Sequence, residues 1–412
     1  MKVAAIICEY NPFHNGHKYL IDYAKNNCKA DYVIALMSGD FVQRGEPAVI
    51  SKSIRAQIAL ECGADLVLLL PIPYATGSAD LFATGAVYLL NRLNIVDYLV
   101  FGSECGDINV LSTCAKELCE KGAINSPAIK ERMKSGETYA KARAALFPDF
   151  EPVLSKSNNV LALEYLMALN RLNSSVTPIA VKRTGSDYND DKLCKENEYP
   201  SATALRVKLF ELSSFSSLSL ISERIENELA TYMPKEAIEH IKDACIVSPD
   251  MFSDALCYKL LSDANKLDEY TGVSEDLKNR IHSNVSDFSD FAGFCELLKT
   301  KNLSYARISR ALIHILLNIK GDEKSYKDIL PEITHLRILG IKKDSAPLLK
   351  EINKRTEIKL ISKVPDYLDE MNEITKKLFN DELFASTLYD KTVSTKYEVP
   401  FINEYSKKMP VV

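Results

Sequence analysis

Nowhere does this chain gather the ~18 consecutive apolar residues that a membrane-spanning helix needs. Its longest candidates, Leu66 to Pro73 and Ala311 to Ile319, both fall short. The first apolar run, Val3 to Cys8, is too short for a secretory leader, and Glu9 interrupts it. A soluble, cytoplasmic protein with no membrane partner is expected. Charge of one sign is also missing: 51 basic residues against 56 acidic give a net charge of −5. That excludes a uniformly basic nucleic-acid coat, but it leaves room for a local basic patch. No C-x-x-C pair occurs among the ten cysteines, and none is followed by histidines at zinc-finger spacing. They read as small buried hydrophobes in a reducing compartment. No Ser-His-Asp or Cys-His arrangement suggests a covalent nucleophile, and no carboxylate cluster has magnesium-binding spacing. Internal repeats are absent.

What is present is a rhythm. Val3 to Ile7 is a continuous apolar run, as in a strand buried on both faces of a parallel sheet. Asp31 to Met37, Asp65 to Leu70 and Asp97 to Phe101 repeat the pattern, with helical stretches from about Gly16, from Ser51 to Cys62 and from Ser78 to Leu93 between them. Residues 107 to 175 read as helical, and Val176 to Val181 as one more strand. This β-α-β alternation predicts an α/β fold, a doubly wound, Rossmann-like parallel sheet with its ligand at the strands' carboxyl ends. Beyond about 212 helices dominate, and the serine-rich stretch 213–217 has linker composition. The expected division is 1–212, a nucleotide-binding domain; 213–320, a helical domain; and 321–412, a small mixed α/β region.

The chemistry concentrates directly after the first strand, in Glu9-Tyr10-Asn11-Pro12-Phe13-His14-Asn15-Gly16-His17. A helix N-terminus supplies free N–H groups and partial positive charge, which suits phosphate. His14 and His17, at i and i+3, can face one anion there, and imidazoles donate hydrogen bonds in either charge state. Asn15 reads as the helix cap, and Gly16 as the opening for close approach. Gln43 and Arg44 form a second anion-facing turn after strand two.

His14-Asn15-Gly16-His17 resembles the "HIGH" motif of nucleotidylyltransferases, whose histidines contact ATP phosphates during attack on the α-phosphate. The longer string from Glu9 resembles the bacterial tRNA(Met) cytidine acetate ligase family. The similarity continues through Met37 to Ala48, where Asp40 replaces the family's Asn, a departure expected to alter polarity at the sheet edge. It runs on through Phe101-Gly102-Ser103-Glu104, Asn158-Asn159, Lys182-Arg183 and Ser201-Ala202-Thr203-Ala204-Leu205-Arg206. No lysine-rich "KMSKS" loop appears, which argues against an aminoacyl-tRNA synthetase.

The resemblance implies catalysis by His14 and His17. It implies ATP contacts along Ile7-Cys8-Glu9-Tyr10-Asn11-Pro12-Phe13-His14-Asn15-Gly16-His17-Lys18-Tyr19-Leu20 and at Gly102, Asn158 or Asn159, Lys182, Arg183, Ser201 and Thr203. Arg206 is expected to assist at the phosphates. Mg²⁺ often accompanies bound phosphates, although no residue here indicates it.

Lys299, Lys301, Arg307 and Arg310 surround Tyr305, a grouping suited to RNA backbone with a stacking ring. The family resemblance strengthens that reading, and Arg337 is expected on the same surface. The implied activity is an ATP-dependent ligase that forms acetyl-adenylate and acetylates N4 of the wobble cytidine of elongator tRNA(Met), with acetate and tRNA as partners. Two rival readings are a nucleotidylyltransferase acting on a small phosphorylated metabolite and a non-catalytic RNA-binding protein with a vestigial nucleotide site. The first leaves some 200 further residues with a basic segment unexplained, and the second leaves the intact histidine pair unexplained.

Overall fold

The computed structural model describes residues 1–120, 127–134, 139–183, 193, 199–213 and 218–412. Nine strands are present among them: β1 (Val3–Cys8), β2 (Tyr32–Ser38), β3 (Phe41–Val42), β4 (Glu46–Pro47), β5 (Leu66–Leu70), β6 (Tyr98–Ser103), β7 (Thr177–Lys182), β8 (His335–Ile341) and β9 (Lys359–Ile361). Seven of these form one sheet in the order β7-β6-β1-β2-β5-β8-β9, while β3 and β4 make a short hairpin. The first five strands of the sheet in sequence, β1, β2, β5, β6 and β7, are those the apolar runs predicted. They are mutually parallel, β1 lying between β2 and β6.

Side chains alternate between the sheet's two faces, so each strand feeds two apolar layers. Val3, Ala5, Ile34, Leu36, Leu66 and Leu68 join one cluster with the helices Ala79–Arg92 and Ser157–Arg171. Ala4, Ile6, Val33, Ala35, Val67 and Leu69 join the other, with Asn15–Asn26, Lys52–Glu61 and Ala202–Ser213. Each fully buried Leu, Ile or Val contributes about 1.5–3 kcal/mol. This two-sided burial is why the strands read as continuous apolar runs rather than alternating ones.

From β1 the chain winds outward through β2 and β5, then crosses back to β6 and β7 on the other side. The reversal opens a crevice at the carboxyl end of β1, where open α/β sheets bind ligands.

The region from 321 adds its two strands to this same sheet: β8 runs antiparallel to β5, and β9 parallel to β8. The long helix Glu373–Tyr397 then packs beneath the β2 loop, with Tyr389 Oη donating to the Ala48 carbonyl at 2.8 Å. Of the serine-rich boundary, positions 214–217 lie outside the described residues. Among those described, no helix is long and apolar enough to cross a membrane.

Candidate active site

The segment after β1 folds into a tight cradle. His14, not Asn15, caps the helix Asn15–Asn26. Its Nδ1 accepts the Gly16 N–H at 3.0 Å, and His17 Nδ1 accepts the His14 N–H at 3.2 Å. Asn15 instead turns outward, donating to the Thr231 carbonyl at 2.9 Å. The expected cap followed asparagine's general preference; here an imidazole nitrogen reaches the same amides. Gly16 makes this arrangement possible, because a Cβ there would stand 2.9 Å from His14 Cε1.

The two rings stack with centroids 3.8 Å apart, and Tyr10 and Phe13 close around His17. Since both Nδ1 atoms are acceptors, each neutral ring carries its proton on Nε2. Burial, followed by the charge of Arg183, lowers the His17 pKa to about 3. His14 is likewise driven well below its ordinary value by burial, then by His17 and Arg183. Both are therefore neutral Nε2–H donors at physiological pH.

Fourteen of the positions expected at the nucleotide line one cavity: Ile7, Cys8, Glu9, Tyr10, Asn11, His14, Gly16, His17, Tyr19, Leu20, Gly102, Asn158, Lys182 and Arg183. Gly102, the last residue but one of β6, lies beneath Arg183, whose Cγ would lie 3.3 Å from an added Cβ. Seven others serve around the cavity rather than on its wall. Phe13 is fully buried beside Tyr10, and Pro12 joins Asn11 through a cis peptide. Asn15 is held as described, and Lys18 pairs with Asp22 at 3.2 Å. Asn159 Oδ1 accepts from Ser103 Oγ at 2.7 Å and from the Cys105 N–H at 3.0 Å. Ser201 Oγ caps its helix by accepting the Ala204 N–H at 2.9 Å, and Thr203 Oγ1 lies 3.5 Å from Arg206 Nη2. Of the paired asparagines, then, Asn158 faces the cavity and Asn159 ties down the β6 loop. Glu104 accepts the amides of both.

Gln43 and Arg44 also reach the wall, as do Phe82, Phe101, Leu161, Tyr165 and Tyr199, which the sequence reading did not single out. Leu161 and Tyr165 follow Asn158 at i+3 and i+7 on one helix, so a shared face was the available signal.

Arg206 lines the cavity, but its guanidinium is committed to structure: Nη1 donates to the Asn11 carbonyl at 2.8 Å and Nη2 pairs with Glu46 at 3.1 Å. The floor of the cradle is ionic. Arg55 donates to the carbonyls of Glu9 at 2.6 Å and Ser38 at 3.1 Å, and also to that of Gly39. Asp40, expected to alter polarity at the sheet edge, is instead a buried partner of Lys52 Nζ at 2.6 Å, which also pairs with Glu404 at 2.8 Å. Arg337 belongs to this group and not to the basic surface, since Glu404 holds it at 2.7 Å.

Lys299, Lys301 and Arg307 are exposed, and Lys299 pairs with Glu296 at 3.0 Å. The helix Tyr305–Leu316 packs through Ser309 and Arg310 on Gly45, the chain neighbour of the cavity-lining Arg44. Ser309 Oγ donates to the Gly45 carbonyl at 2.6 Å, and a Cβ on Gly45 (φ +79°) would stand 2.3 Å from the Arg310 nitrogen. Among the described residues no three His, Cys, Asp or Glu side chains gather as a metal site.

A family model described as HIGH Nucleotidyl Transferase matches residues 1–400. A tRNA(Met) cytidine acetate ligase from Thermoanaerobacter sp. (strain X514) is 39% identical over 395 residues, 94% of this chain and 95% of its own length. One from Clostridium perfringens (strain ATCC 13124) is 37% identical over 377 residues, covering 88% and 90%. The crystal structure of Thermotoga maritima TmcAL bound with alpha-thio ATP matches with a TM-score of 0.85 at 28% identity, over 100% of both chains. The chain therefore belongs to the tRNA(Met) cytidine acetate ligase family of HIGH nucleotidyl transferases.

Proposed function

We propose that this ligase uses ATP to convert acetate to acetyl-adenylate and then acetylates N4 of the wobble cytidine of elongator tRNA(Met). The observation that carries the ATP half is the pair of neutral imidazoles, with their Nε2–H groups as donors, at a helix N-terminus in a cavity shared with Lys182 and Arg183.

An acetate oxygen attacks the α-phosphorus in line, and pyrophosphate leaves. His14 and His17 donate to the phosphate oxygens as negative charge develops. Lys182 and Arg183 add positive charge, and the helix N-terminus adds free amides. Asn158 and the aromatic wall of Phe101, Tyr165 and Tyr199 are assigned to the remainder of the nucleotide. Ser201, Thr203 and Asn159 act by holding the cavity's frame.

For the RNA half, we take residues 1–212 as the nucleotide unit and 213–320 as the tRNA-facing one. Lys299, Lys301, Arg307 and Arg310 contact tRNA backbone, while the target base enters beside the Gln43–Glu46 turn. A cytidine in an anticodon loop is already accessible, so no duplex need open.

Incubation with ATP, radiolabelled acetate and bulk tRNA, followed by nucleoside analysis, should yield labelled N4-acetylcytidine. His14→Ala and His17→Ala should each lower turnover by roughly 10²–10³-fold, the scale of losing one preorganised donor. Near-normal turnover in both variants would remove the catalytic assignment, and unlabelled cytidine would remove the substrate assignment.

A further inference from the structure

We propose that Glu9 is the base that accepts the amine proton during acetyl transfer, an assignment that rests on the acetylation reading above. Cytidine's exocyclic nitrogen shares its lone pair with the ring and is a weak nucleophile. As it attacks the acetyl carbonyl carbon, the C–N bond forms and the nitrogen becomes acidic. The C–O bond to the adenylate phosphate breaks, AMP departs with the electron pair, and the N4 proton must go to a nearby acceptor.

The cavity offers few acceptors. His14 and His17 are excluded, because their Nδ1 lone pairs are spent on capping bonds and each Nε2 already carries a proton. Arg44, Lys182, Arg183 and Arg206 present donors alone. Burial pushes the Cys8 thiol and the Tyr10 hydroxyl upward, away from ready ionisation. Glu9 is the one carboxylate on the wall among the described residues.

Its placement suits proton transfer. The Gln43 N–H donates to Glu9 Oε1 at 2.8 Å, and Arg55 holds the Glu9 carbonyl at 2.6 Å, so backbone and carboxylate are both fixed. Among the described residues no hydrogen bond reaches Oε2, which leaves that oxygen for substrate. Gln43 belongs to the same turn whose Gly45 carbonyl accepts from Ser309 of the helix Tyr305–Leu316, so Glu9 lies beside the element assigned above to tRNA.

A bare carboxylate in a phosphate site would repel ATP; Arg44 and Arg206 offset that charge, while Glu46 opposes them. Arg55 also faces it, with Cys8 as its chain neighbour. Burial is the largest influence on Glu9 and raises its proton affinity above that of an ordinary carboxylate, the direction a general base requires.

The test separates the two half-reactions. Acetate-dependent exchange between ATP and labelled pyrophosphate reports adenylation, and single-turnover labelling of tRNA reports transfer. Glu9→Gln keeps an amide oxygen for the Gln43 N–H. Transfer should fall roughly 10²–10⁴-fold, and by at least about tenfold more than exchange, which Glu9 also touches as part of the nucleotide wall. Wild-type transfer should rise with pH to a plateau, and Glu9→Gln should abolish the rise. Equal losses in both half-reactions would assign Glu9 to structure and overturn the proposal, as would near-normal transfer or an unchanged pH profile in the variant. The wild-type profile alone remains decisive if the variant folds poorly, because a flat profile denies any titrating base. Wild-type protein without acetate-dependent exchange would instead overturn the acetylation reading, and the Glu9 role with it.

Discussion

Replacing Lys52 with methionine probes the ionic floor beneath the candidate active site. Lys52 and its partners Asp40 and Glu404 all have side chains 1% exposed, with separations of 2.6 and 2.8 Å. Lys52→Met keeps most of the aliphatic stem and removes the charge. Glu404 retains Arg337 at 2.7 Å and Lys407 at 3.2 Å, so Asp40 bears most of the loss. Stripping one partner from a buried pair costs about 3–5 kcal/mol, and the remaining counter-ions of Glu404 place this case near the lower end. The loss should also depend on pH. The Lys52 charge, opposing desolvation, holds Asp40 below the usual carboxylate range. That contribution is present above the unfolded value of 3.8 and is lost as pH falls through the lower folded value. In the variant the carboxyl protonates more readily, so the gap between the two proteins narrows in acid. Urea unfolding of both proteins from pH 7 down to about pH 4 measures this directly. A loss below about 1 kcal/mol at pH 7, the worth of an exposed pair, or a gap independent of pH, would refute the reasoning.

Two further outcomes follow from the site. Because His14 and His17 have folded pKa values below their unfolded 6.5, both stabilise the fold above that value and cost stability as pH drops beneath it. The double variant His14→Asn, His17→Asn should therefore show a shallower loss of urea midpoint between pH 7 and 5, and an unchanged slope would contradict their neutral burial. Neutralising Lys299, Lys301 and Arg307 together should weaken tRNA binding and reduce the slope of log affinity against log salt by about one for each phosphate that is no longer neutralised. An unaltered slope would take this segment off the RNA path.

The parallel strands were legible because burial on both faces demands uninterrupted apolar runs, such as Leu66–Leu70. β8 was not legible as part of that sheet. Its sequence mixes His335 and Arg337 with leucines, and its neighbour β5 lies some 270 positions earlier in the chain. The histidine pair declared itself through position and spacing. The identity of the cap did not, since imidazole caps run against the general preference for Asn, Ser and Asp. Arg337 was misplaced for a related reason: an arginine next to apolar residues looks alike whether it meets solvent or a glutamate 67 positions onward. Asp40 likewise acquires its meaning only from Lys52 and from the end of the chain.

That last dependence bears on how the protein folds. Tyr389 bonds the loop after β2 at Ala48, while Ser386 and Glu404 hold Lys52, which in turn grips Asp40 of that loop. The candidate nucleotide cradle therefore rests on contacts 334 and 341 positions apart in sequence. Pairings of such long separation carry a large loop-closure cost, so the parallel strands can pair before the charged floor is complete. A chain in which the helix Glu373–Tyr397 fails to dock would carry the histidine signature without a settled place for it.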